Sequence, residues 1–151
     1  MNRYDQRVKE LGGKPSYRLN IRRPIALSEA ELVALEHELG WLLPADYREF
    51  LRDFGGFSFD DFEFYGVMPG EVLDLLEWHQ FYYQRDVMPA ELMPIAIGGG
   101  GNNLCIAVSG QNRGAIYFWI MEEATMPGSY DNTKFVANSF DALMQSDYLR
   151  V

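Results

Sequence analysis

The sequence predicts an α+β domain: an antiparallel sheet in meander order, packed against N-terminal helices and a C-terminal helix. Three observations carry this. Residues 92–121 read LMPIAIGGGGNNLCIAVSGQNRGAIYFWIM, three apolar runs separated by two Gly- and Asn-rich turns. Residues 28–55 carry the start and stop signals of two amphipathic helices. Near the end, Asn138-Ser139 precedes Phe140, Leu143 and Met144 at helical spacing, the pattern of a capped final helix.

Taken in order, Tyr4, Val8 and Leu11 share one helical face, and Gly12-Gly13-Lys14-Pro15 ends that element. Tyr17, Leu19 and Ile21 alternate with Arg18, Asn20 and Arg22, which predicts a short strand with a basic outer face. Ser28 is an N-cap and Glu31 stands three residues on, a capping box, with Leu27 and Leu32 placed for a hydrophobic staple. Leu32, Leu35 and Leu39 continue the apolar stripe, and Gly40 supplies the stop. His37 lies between Glu36 and Glu38 and reads as a surface or boundary residue, since no second His, Cys or spaced carboxylate completes a metal set. Pro44 opens a second helix, Ala45 to about Phe54, with Tyr47, Phe50, Leu51 and Phe54 as its buried face.

Residues 57–65, FSFDDFEFY, begin with strand-like alternation. Three carboxylates here are costly to bury together, which places Asp60, Asp61 and Glu63 on an exposed rim. Residues 71–85 read as a helix with Val72, Leu75, Leu76 and Trp78 packing and Glu71, Asp74 and Glu77 facing out. Leu92–Ile97, Leu104–Val108 and Ala115–Met121 then form the meander, because short Gly- and Asn-rich connections join antiparallel neighbours. The last run is almost wholly apolar, as in a strand buried on both faces. A short strand is expected at Phe135–Ala137, and a final helix from Phe140 to about Leu149.

The four glycines 98–101 are read as a structural turn. A phosphate cradle needs a helix N-terminus after the loop, whereas a strand pattern follows here, and no Lys lies between Lys14 and Lys134.

With 151 residues, 48% hydrophobic and 15% aromatic, the chain is large and apolar enough for one domain with a substantial core. The single Cys105 excludes an internal disulfide framework and reads as a small core residue. No signal peptide or membrane-length apolar run is visible, so a cytoplasmic protein without membrane association is expected. The net charge of -9 argues against direct nucleic-acid binding and suits a basic partner. Charge is unevenly placed: residues 1–27 hold 7 of the 13 basic residues but only 2 of the 22 acidic ones. The expected organisation is therefore a basic N-terminal extension, 1–27, followed by the α+β domain, 28–151.

The run SEAELVALEHELGWLLPADYREFLRDFGG resembles the N-terminal signature of the SUKH superfamily, which includes the fungal Smi/Knr cell-wall regulators. The matching positions are Glu36, Leu39, Gly40, Leu43, Pro44, Asp46, Tyr47, Phe50, Leu51, Gly55 and Gly56, with a departure at Phe54, where the family often has Asn. The middle, PIAIGGGGNNLCIAVSGQNRGAIYFW, is similar to the family's strand pair around a Gly-rich turn, and Val136-Ala137-Asn138-Ser139-Phe140 to its closing helix start. The resemblance implies a SUKH-like fold over roughly residues 28–150. It also implies a binding role, since many bacterial members are immunity proteins that neutralise toxins, often nucleases, delivered by neighbouring cells.

Three functional readings follow. In the first, the chain is an immunity protein that occludes a basic toxin domain with an acidic, aromatic-bearing surface; the candidate contacts are Asp60, Asp61, Glu63, Tyr65, Glu122 and Glu123. In the second, it is a regulatory scaffold for cellular proteins, as the fungal members suggest, with residues 1–27 as a docking arm. The third is an enzyme; against it, His37, His79 and Cys105 form no triad or zinc set. The leading expectation is a non-catalytic binding protein with no catalytic residues, metal or cofactor. Oligomeric state is not readable from the sequence.

Overall fold

The computed structural model describes residues 2–15, 26–55, 57–59, 62–67, 74–85, 87–121 and 128–149. The described elements are α1 (Asp5–Glu10), β1 (Lys14–Pro15), α2 (Glu29–Leu39), α3 (Ala45–Phe54), β2 (Phe57–Phe59), β3 (Phe62–Phe64), α4 (Leu75–Gln84), β4 (Leu92–Ile97), β5 (Asn103–Ala107), β6 (Ile116–Trp119), β7 (Thr133–Ala137) and α5 (Phe140–Gln145). The strands form one seven-stranded sheet in the order β1-β2-β3-β4-β5-β6-β7, every neighbouring pair antiparallel. The fold is thus α+β with the meander expected from the sequence. The proposed strand at residues 17–21 lies outside the described residues.

Local signals were accurate where the chemistry is local. Ser28 accepts from the Glu31 backbone and Glu31 returns a carboxylate to the Ser28 N–H, closing the capping box of α2. Gly40 ends that helix in the left-handed conformation, φ 82°. In the 98–103 turn, Gly100 and Gly101 take φ 74° and 81°, and the Gly98 N–H bonds the Asn102 carbonyl. Ser139 caps α5 through the Ala142 N–H. That helix stops at Gln145, short of the expected Leu149, although Leu149 is buried.

Phe50 on α3 sits at the centre of the main core. Its ring lies 4.9–6.3 Å from those of Tyr4, Phe54, Phe59, Phe64 and Phe140, so α1, α3, α5, β2 and β3 meet around one side chain. The 1–27 extension thereby contributes to the common core: Tyr4, Val8 and Leu11 are buried in it. Arg7 of α1 donates to the carbonyls of Met144 and Ser146 at the C-terminal end of α5, where unsatisfied carbonyls favour a cation.

The opposite face of the sheet is covered by α4. Tyr82 and Met88 pack there on Leu92, Cys105, Ala107 and Trp119. Two sequence expectations change as a result. β3, β4 and β5 are buried on both faces, whereas β6, expected to be so, leaves Tyr117 and Phe118 half-buried because it lies beside the edge strand β7. Asp74, expected to face out, is 6% exposed: it is the N-cap of α4 and accepts from the Glu77 N–H.

Candidate functional site

Of the six contacts proposed from the sequence, Asp60, Asp61, Glu122 and Glu123 lie outside the described residues. The other two do not stand on an exposed rim. Glu63 is 7% exposed and Tyr65 1% exposed. The reason is topological: β3 is an interior strand, paired with β2 on one side and β4 on the other. The Tyr65 hydroxyl points inward and donates to Asn103 Oδ1 at 2.7 Å. Asn103 is fully buried and passes the network on, its Nδ2 donating to Tyr82 Oη and to the Gly101 carbonyl, both at 3.1 Å. Burial holds the Tyr65 phenol protonated, well above its ordinary range.

A different surface brings exposed apolar groups together. It is built from the end of α2, the α2–α3 linker and α4. Trp41 stands at its centre, with a groove of about 410 Å³ on one side, bordered by Val33, His37 and Leu42, and one of about 490 Å³ on the other, bordered by Glu38, His79 and Tyr83. Val33 is 54% exposed, Leu42 72% and Tyr83 63%.

The linker is held rigidly. Glu36, 7% exposed, accepts from the Leu43 N–H at 2.7 Å with one oxygen and from Arg48 Nε at 3.1 Å with the other. Arg48 in turn makes a two-pronged contact with Glu29, at 2.7 and 2.9 Å. That contact holds the Glu29 carboxyl below its usual range. From the other side, Arg113 donates to the Leu42 carbonyl. Beneath Trp41 lies His79, ring centroids 5.0 Å apart and planes at 74°, and His79 also meets Tyr83 at 5.8 Å. Desolvation lowers the His79 pKa, so this imidazole is neutral at neutral pH and serves as an aromatic floor.

Sequence reasoning assigned none of these residues to a site. Glu36 entered only as a position of the family resemblance, His37 as a surface or boundary residue, and Trp41 and Leu42 only as part of the run that carries that resemblance. The one available signal was the coincidence of Trp41 and Leu42 in a short linker, two large apolar residues where a polar turn would suffice. Chemically the surface offers apolar contact, aromatic faces and carboxylates. Among the described residues, no three His, Cys, Asp or Glu side chains gather as a metal set, and no helix is long and apolar enough to cross a membrane. Cys105 is buried, and desolvation raises its thiol pKa, the opposite of what a nucleophile requires.

The chain belongs to the SMI1 / KNR4 family (SUKH-1), whose model matches residues 26–146. A relative in Bacillus subtilis (strain 168), the SPbeta prophage-derived uncharacterized protein YokK, is 28% identical over 157 residues, covering 83% of this chain and 77% of the relative. Among solved structures, a protein from Pseudomonas syringae pv. tomato shares the fold, with a TM-score of 0.65 at 17% identity over 97% of this chain and 99% of that one.

Proposed function

We propose that this chain is a non-catalytic immunity protein that neutralises a cognate bacterial toxin, a nuclease being the leading class, by binding it directly. Membership of the SUKH-1 family carries the reading. The prophage origin of the YokK relative is in keeping with it, as mobile elements are a natural setting for toxin and immunity genes. The chain's net charge of -9 suits a basic target such as a nuclease domain, which must itself attract phosphate. Inhibition then needs no chemistry from this protein. An apolar centre excludes water, and surrounding carboxylates speed encounter and reject acidic competitors. The partner is taken to act where this protein resides, in the cytoplasm.

The test is to co-express and purify the chain with the product of the adjacent gene, and to challenge cells with that product. Stoichiometric binding that weakens with salt, together with protection of cells, supports the reading. A partner that binds but is not toxic points instead to a regulatory scaffold.

A further inference from the structure

We infer that the two grooves flanking Trp41 are one docking surface for a cationic segment of a partner protein. An arginine or lysine side chain lays its aliphatic stem over Trp41 and Tyr83 and turns its charge to Glu38. The biological role of this contact rests on the immunity reading; the chemistry of the groove is testable without it.

Three independent features lead here. The first is exposure. Val33, Leu42 and Tyr83 come from α2, the linker and α4, yet converge around one half-buried tryptophan. Large apolar groups gathered in this way mark an interaction surface, whereas single exposed ones do not. The second is preorganisation. Glu36, Arg113 and His79 fix the linker from three directions, so little ordering cost remains for a ligand.

The third is charge, and it selects the occupant. Neither groove is lined by Lys or Arg. Glu36 is committed to Leu43 and Arg48, whereas the exposed Glu38 makes no ion pair or side-chain hydrogen bond among the described residues. An apolar aromatic surface with one uncommitted carboxylate matches a side chain that is aliphatic along its stem and cationic at its tip. Arginine fits best, because its planar, weakly hydrated guanidinium stacks on aromatic rings while still donating to a carboxylate. An anionic lipid surface is disfavoured by the carboxylates and by the net charge of -9. A second aromatic group, the exposed Tyr130 and Phe135 with the half-buried Tyr117 at the β7 edge, carries no such selection: the Tyr130 hydroxyl already donates to Glu91.

The first experiment uses n-butylguanidinium as a minimal arginine side chain, titrated while the indole N–H resonance of Trp41 is followed by NMR, with pentanoate at equal ionic strength as the contrast. The expected result is a saturable shift with butylguanidinium, none with pentanoate, and loss of the shift in Glu38→Gln. No shift, or equal shifts with both probes, overturns the groove chemistry. The second uses the toxin partner from the co-expression test. Tyr83→Ala and Glu38→Lys should each weaken binding by about thirtyfold or more, the range of interface hot spots, while Phe135→Ser at the distant edge leaves it within about twofold. These positions are exposed, so an unchanged melting temperature shows that the fold is intact. A partner that binds wild type and both groove variants alike overturns the docking site and leaves the immunity reading standing. If no partner binds at all, the immunity reading falls, and the butylguanidinium titration still decides the groove.

Discussion

Replacing Tyr65 by Phe removes one hydroxyl and should be more costly than that small change implies. The hydroxyl is the donor to Asn103 Oδ1 at 2.7 Å, and both residues are essentially inaccessible to water. The amide cannot turn to compensate, because its Nδ2 is held by two acceptors, Tyr82 Oη and the Gly101 carbonyl. Tyr65→Phe therefore strands a buried carbonyl oxygen, at a cost of about 1–3 kcal/mol. Asn103→Leu is more severe: it removes the acceptor of Tyr65 and the donor to Tyr82 and Gly101, for about 2–5 kcal/mol in total. The double variant deletes both partners of the central bond. Its loss should fall short of the sum of the single losses by about 1–2 kcal/mol, the coupling typical of directly bonded buried groups. Urea unfolding followed by tryptophan fluorescence, with unchanged m-values, measures all three. In melting temperature each kcal/mol corresponds to about 2–4 °C for a chain of this size. Strict additivity, or a Tyr65→Phe variant as stable as the wild type, would show that the inward hydroxyl is not bonded as described.

The remaining predictions concern single sites. Tyr47 is fully buried with no partner for its hydroxyl among the described residues, so Tyr47→Phe should be neutral or stabilise by about 1 kcal/mol in the same urea assay, where a loss above that would mean an undetected partner. His79 has a folded pKa below its ordinary value of 6.5. The unfolded chain then binds more protons between the two values, so its contribution is fully present above about pH 6.5 and is lost as pH falls toward the folded pKa, at up to about 1.4 kcal/mol per pH unit. Denaturation series between pH 5 and 8 should show this slope, and His79→Phe should lack it. Gly13 leaves no room for a methyl group, since a Cβ there would lie 2.3 Å from the Phe59 ring, and Gly13→Ala should cost about 1–3 kcal/mol by melting temperature. Cys105 should resist iodoacetamide in the native protein and react on unfolding; ready native labelling would contradict its burial.

What the sequence revealed and what it hid divide along one line. Ser28, Glu31, Gly40 and Ser139 act on neighbours within a few positions, so capping and stop signals were sufficient to place them. The meander was legible for the same reason, because turns of Gly and Asn dictate which strands are adjacent. Glu63 and Asn103 were misjudged because their surroundings are tertiary. Glu63 looks exposed until β3 is known to be interior, and Asn103 reads as a turn residue until its amide is seen bridging Tyr65, just after β3, and Tyr82 of α4. The groove was the least legible feature, being assembled from positions 33–42 and 79–83, which only the folded helices bring together.

The family signature and the groove also divide the work between them in a way that leads to a final prediction. Glu36, Gly40, Leu43 and Pro44 are among the residues that resemble the family pattern. In the structure they end α2, anchor the linker and start α3. Val33, Glu38, Leu42 and Tyr83, which border the grooves, stand outside the positions matched to that pattern. Leu42 and Leu43 are consecutive, yet one is 72% exposed and the other 4%, so the scaffold turns one leucine into the core and presents the next to solvent. For the partner contact proposed above, this arrangement supplies a fixed frame with replaceable contacts. Substituting Leu42→Ser and Tyr83→Ser together should therefore abolish partner binding while changing the melting temperature by less than about 2 °C, since exposed positions contribute little to stability. Glu36→Ala should do the reverse in order of cause, lowering stability by about 1–3 kcal/mol through the unpaired Leu43 N–H and the lost contact with Arg48, which keeps Glu29, and weakening binding only because the linker loosens. Calorimetry on both variants separates the two roles. If Leu42→Ser/Tyr83→Ser unfolds the protein, or Glu36→Ala leaves it as stable as before, frame and contact are not divided in this way.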